Sequence, residues 1–136
     1  MTQPTNALQR DTALIVGGGP GISASCARLF AAEGMQVAVA ARDPDKPVLK
    51  ALEQQHGVRR YACDAGVAAD VERLFREVTS DLGAPTLVIH NIDGRVAAVF
   101  GKSITEAPPE VVRETLHNAA FSAFLVAQQA ARVMLS

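Results

Sequence analysis

The sequence predicts an α/β domain, a doubly wound parallel sheet with helices on both faces. Three observations predict it. Four short apolar runs alternate with four stretches of helical periodicity. The first run is apolar without a break, as in a strand covered on both faces. A glycine cluster leaves that run and enters a helix.

Composition narrows the class further. The 136 residues suit one domain, and a chain of this length buries about two-thirds of its unfolded surface, so it needs no metal or disulfide staple. Hydrophobic residues at 49% and charged residues at 20% exclude intrinsic disorder. A net charge of −1 carries no signature of a nucleic-acid binder. Cys26 and Cys63 have apolar neighbours and no partner at metal-ligand spacing, which predicts free thiols, no metal and a reducing, cytoplasmic setting. Met1 to Arg10 is polar, lacks the apolar stretch of a signal peptide, and is expected to be a flexible tail ahead of a domain over 11–136. The most apolar window, Ala119 to Ala127, is too short for a bilayer and is interrupted by Ser122, so no membrane span is expected.

The elements follow in order. Ala13 to Val16 is the first strand; Ile22, Cys26, Leu29 and Phe30 then recur at helical spacing, with Gly34 as a stop. Val37 to Ala40 is the second strand, and a short helix after Pro47 closes at Gly57. Val58 to Cys63 is the third strand. Val71, Leu74, Phe75, Val78 and Leu82 keep the 3.6 period until Gly83 and Pro85. Thr86 to Ile89 is the fourth strand. One last helix is expected from Pro108 or Pro109 to about Met134, apolar nearly all round in its second half and therefore buried on more than one side. Strand–helix alternation of this kind gives a Rossmann-type half with strand order 3-2-1-4.

The most informative stretch is Val16-Gly17-Gly18-Gly19-Pro20-Gly21-Ile22-Ser23. Glycines let the backbone turn sharply and approach a pyrophosphate, and the helix N-terminus beyond them offers free N–H groups and partial positive charge. Gly17, Gly19, Pro20, Gly21 and Ile22 are the candidate phosphate-binding residues. No Lys-Ser/Thr pair follows, which argues against a P-loop.

At these residues the chain resembles the short-chain dehydrogenase/reductase family, which opens with Thr-Gly-x-x-x-Gly-x-Gly after its first strand. Gly17 and Gly21 match; Val16 stands for the threonine and Ser23 for the last glycine. Cys63-Asp64-Ala65 falls where the family sets an aspartate against the adenine, and His90-Asn91-Ile92-Asp93 where it has Asn-Asn-Ala-Gly. Phe124 to Gln128 is similar to its long fifth helix. The resemblance implies that Asp64, Ala65, Asn91 and Ile92 line a cofactor site. It also implies that Asp93 brings a carboxylate toward the nicotinamide side, narrowing the site or repelling phosphate.

Family members that prefer NAD carry an acidic residue after the second strand. Ala41 and Arg42 stand there instead. A guanidinium makes charge-assisted bonds to a 2′-phosphate, so the expected cofactor is NADP(H) rather than NAD(H), with Arg42 as its ligand.

The resemblance implies an oxidoreductase acting on a small-molecule alcohol or carbonyl, through a serine, a Tyr-x-x-x-Lys pair and an asparagine on the fifth helix. The only tyrosine here is Tyr61, in the third strand, with no lysine four residues on. Asn118 is the candidate asparagine, although alignment on Phe124-Leu125-Val126 puts Ala119 at the family position, about 100° away on a helix. The fourth strand would be a bare hydrophobic edge. The chain is therefore expected to be the N-terminal half of a longer protein, forming a homo-dimer or homo-tetramer through the helix around 109–134. Two alternatives stay open: a catalytically inactive dinucleotide-binding module, and a scaffold whose glycine loop is only structural.

Overall fold

Every residue of the first apolar run is buried, because it occupies an inner position of the sheet. The computed structural model describes residues 11–136; the tail expected over 1–10 lies outside the described residues. Strand β1 (Thr12–Val16) pairs in parallel with β2 (Gln36–Ala41) on one side and β4 (Pro85–His90) on the other, and β2 pairs with β3 (Arg59–Ala62). The order is β3-β2-β1-β4, as expected.

Alternation along β1 divides the core into two layers. Leu14 and Val16 pack against Val71, Leu74, Phe75 and Val78 of α3 (Ala68–Leu82) and against Leu125 and Val126 of α5 (Ser122–Met134). Ile15 faces the other way, toward Ala24 and Ala27 of α1 (Ile22–Ala32) and Leu49 and Leu52 of α2 (Pro47–His56). Each fully buried Leu, Val or Phe in these layers stabilises the fold by about 1.5–3 kcal/mol. Helix ends follow the sequence signals. Pro47 starts α2, Gly57 ends it at φ +68°, and Gly83 at φ +100° ends α3. Thr12 Oγ1 and Gln36 Nε2 donate to the terminal carbonyl of Leu82 at 2.9 and 2.7 Å, satisfying an acceptor the helix leaves open.

Two expectations are corrected. The third strand is shorter than 58–63: Val58 is spent on the α1–α2 core, and pairing begins only where Ala38 meets Arg59. The last helix is neither one run nor buried on more than one side of this chain: Ser122, Leu125 and Val126 face the core, while Phe121 and Phe124 are exposed on the opposite side of the apolar pattern. It consists of α4 (Pro109–Leu116), a π-turn over His117–Phe121, and α5. The N–H of Ser122 reaches back five residues to the carbonyl of His117, which widens the turn.

β2 and β3 build outward from one side of β1, whereas β4 sits on its other side. That reversal opens a crevice at the carboxyl ends of the strands, the place where open α/β sheets bind ligands.

Candidate functional site

The loops that follow the four strands enclose a cleft of about 680 Å³, within the range of roughly 300–1,000 Å³ usual for small-molecule sites. Gly17, Gly19, Gly21, Ile22, Arg42, Asp64, Ala65, Asn91 and Ile92 line it, and so does Asn118. Pro20 does not; it is exposed in the turn, outside the wall of the cleft.

The glycine loop folds back over the sheet because the N–H groups of Gly17 and Gly18 both donate to the carbonyl of Ala40, at 2.9 and 3.1 Å. Gly17 has φ +109°, and a Cβ there would collide with the carbonyl of Asn91 and the Ile92 side chain. Gly19 and Gly21 face open space instead, so a ligand could approach their backbone closely. No side chain caps the first turn of α1, which leaves its N–H groups available to an anion. Ser23, the residue in place of the family glycine, is buried; its hydroxyl donates to the carbonyl of Gly17 and accepts from Asn91 Nδ2 at 2.9 Å.

Beside the loop lie two cations. Arg42 is exposed and makes no ion pair among the described residues; neighbouring Asp45 is held by Arg60 and Lys50. Lys46 also lines the cleft, and its Nζ donates to the carbonyl of Gly18 at 3.1 Å. Sequence reasoning missed Lys46. Its signal was present as a second basic residue four positions after Arg42, just ahead of Pro47.

The loop after β3 is built as a turn. Asp64 Oδ1 accepts from the N–H of Gly66 at 2.9 Å, and the N–H of Asp64 donates to Asp70 at 3.1 Å. Cys63 lines the cleft beneath it, and burial pushes its thiol up to about 11, so it stays a protonated apolar surface. His117 Nε2 lies 3.0 Å from the carbonyl of Gly66, joining this loop to the π-turn.

The loop after β4 forms the other rim. Asp93 does not present a bare carboxylate: Arg95 binds it side-on, Nε to Oδ1 at 2.8 Å and Nη2 to Oδ2 at 2.7 Å. These bonds hold the Asp93 carboxyl down at about 2. The expected repulsion of phosphate is thereby offset by a guanidinium that also lies over the Phe100 ring, 5.0 Å from its centroid. Asn118 Nδ2 approaches the carbonyl of Gly94 at 3.4 Å, and Ala119 packs on Gly94 so closely that a Cβ there would not fit. The extra residue of the π-turn sets this register, which sequence alignment alone could not. Tyr61 lies away from the cleft, donating to Asp81 at 2.9 Å; burial pushes its hydroxyl up to about 12. Among the described residues no cluster of His, Cys, Asp or Glu could hold a metal, and no helix is long and apolar enough to cross a membrane.

The family described as enoyl-(acyl carrier protein) reductase matches residues 17–136. Human short-chain dehydrogenase/reductase 3 is 29% identical over 114 residues, covering 81% of this chain and 36% of that protein, and the bovine protein matches equally. Among solved structures, a short-chain type dehydrogenase/reductase from Mycobacterium marinum superposes with TM-score 0.82 at 28% identity, covering 92% of this chain and 50% of that one. One from Serratia marcescens, at 22% identity and TM-score 0.77, shares the fold over 91% of this chain and 51% of its own. The chain thus spans about half the length of these solved relatives and about a third of the curated ones.

Proposed function

Because the chain belongs to the short-chain dehydrogenase/reductase family, we propose that it carries the NADP(H)-binding half of an oxidoreductase acting on an alcohol or carbonyl. The cleft fits such a group by its own chemistry. Backbone at Gly19 and Gly21 is open to the cleft, the first turn of α1 is uncapped, and Gly17 admits no side chain. A bound nicotinamide would supply or accept the hydride. The protein's part in this half is to hold and orient: the glycine loop takes the pyrophosphate, Asp64 and Ala65 flank the adenine, and Asn91 and Ile92 border the ribose and nicotinamide. Groups for proton transfer to substrate would come from outside these 136 residues.

The observation that carries the cofactor choice is the pair of cations, Arg42 and Lys46, both lining the cleft where a carboxylate would favour NAD. The test is a fluorescence titration of wild type, Arg42→Ala and Arg42→Ala/Lys46→Ala with NADPH and NADH. NADPH affinity should fall about tenfold or more per cation lost, since hydrogen bonds to charged groups contribute roughly 1.5–3 kcal/mol each, while NADH affinity holds. Unchanged NADPH affinity in the double variant would sink the assignment.

Self-association through the helix around 109–134 is part of the same proposal. Leu116, Phe121 and Phe124 are exposed there, and the two phenylalanines stack at 6.2 Å, an apolar patch suited to a second copy of the chain. A cytoplasmic location is supported by Cys26 and Cys63, both free thiols.

A further inference from the structure

The π-turn stands at the junction of the two rims. His117 meets Gly66 in the loop after β3, and the next residue, Asn118, meets Gly94 in the loop after β4. A widened turn draws N–H groups away from their usual carbonyl partners, and the partly buried carbonyls of Asn118 and Ala119 gain from another donor. Ser122 supplies it. Its side chain is buried, its hydroxyl donates to the carbonyl of Asn118, and the carbonyl of Ala119 lies 3.2 Å away. The same hydroxyl oxygen lies 2.8 Å from Nε2 of His90, the last residue of β4. If the hydroxyl proton points to Asn118, the imidazole must donate from Nε2. This sets one direction for the chain of bonds, from β4 through Ser122 to the turn.

We propose that His90 and Ser122 form a positioning clasp that holds the π-turn in the register delivering the Asn118 amide to the rim of the cleft. Were the turn to relax into α-helix, each residue ahead of Ser122 would rotate by about 100° for the one residue lost, and Asn118 would leave Gly94. Gly94 packs directly on Ala119, so a shift of the turn also shifts the rim. The functional weight of the clasp rests on the dinucleotide reading of the cleft, but its test needs no ligand, so the two fail separately.

The experiment is nitrogen NMR on labelled protein: wild type, Ser122→Ala and Ser122→Thr. Wild-type His90 should show the neutral Nε2–H tautomer. In Ser122→Ala, the Asn118 side-chain amide should move and amide exchange over 117–121 should rise about tenfold, as expected when a partly buried acceptor loses its donor. Exchange in α3 and β1 should hold, and Ser122→Thr should restore the wild-type pattern. The proposal is overturned by an Nδ1–H tautomer, by an unmoved Asn118 resonance in Ser122→Ala, or by exchange that rises equally across the whole fold.

Discussion

The side-chain amide of Asn91 donates to the Ser23 hydroxyl at 2.9 Å, and that hydroxyl donates to the carbonyl of Gly17. Three parts of the cleft meet in this relay: the loop after β4, the first turn of α1 and the glycine loop. It explains how a serine replaces the family's last glycine without opening the packing. The added side chain fills its space with two hydrogen bonds.

Ser23→Ala should therefore lower stability by about 1–3 kcal/mol, because Asn91 Nδ2 and the Gly17 carbonyl lose their shared partner in a buried place. Urea denaturation is the check. The midpoint should fall while the slope stays constant; an unmoved midpoint would mean that water replaces the hydroxyl at no cost.

Gly17 and Gly19 should respond oppositely to a methyl group. Gly17→Ala meets both a left-handed φ and the Asn91 carbonyl, so it should destabilise by more than about 2 kcal/mol. Gly19→Ala enters open space and should stay within about 0.5 kcal/mol of wild type in stability, yet weaken dinucleotide binding by obstructing backbone approach. Thermal melts and NADPH titration on both variants decide it; equal destabilisation would contradict this account of the loop.

How much of this was legible in the sequence depends on what each signal measures. Hydrophobic runs report burial, so β1 and the alternation of strands and helices could be read from the unbroken run Ala13 to Val16 and the glycine stops, and the strand order followed from the Rossmann-type class; which helices share a face of the sheet could not. Hydrogen-bond partners are not periodic. Nothing around Ser23 or His90 in the sequence names Asn91 or Ser122 as a partner, and Asp93 read as a repulsive charge because its bond to Arg95 depends on a loop conformation. The π-turn was hidden for a related reason: one added residue leaves the apolar pattern of Phe121 to Val126 intact. Lys46 was passed over because only the folded glycine loop brings the Gly18 carbonyl to its ammonium.

The Asp93–Arg95 pair gives a pH prediction. Asp93 titrates in the folded protein at about 2, below its ordinary value of 3.8. A depressed carboxylate pKa contributes stability that is fully present above the unfolded value and lost as pH falls from about 4 toward 2. A carboxyl-carbon NMR titration should place the midpoint near 2 in wild type and return it toward 3.8 in Arg95→Gln. An ordinary midpoint in wild type would show the pair open in solution, with Asp93 free to repel phosphate.

The apolar patch on the last helices predicts an assembly defect. Phe124→Asp puts a charge beside Phe121 in the patch that Leu116, Phe121 and Phe124 expose on the chain alone, and burying it in a subunit interface would be costly. Sedimentation velocity should show a dimer or tetramer for wild type and a smaller species for the variant. An identical mass for both would place any interface elsewhere.

Whether the cleft at the carboxyl ends of the strands binds NADP(H), as proposed, is decided by amide chemical-shift mapping. On titration of labelled protein with NADPH, perturbations should cluster at Gly17 to Ile22, Arg42, Lys46, Asp64 to Gly66 and Asn91 to Gly94. No perturbation, or one centred at the opposite end of the sheet around Gly34, Met35 and Arg59, would contradict it.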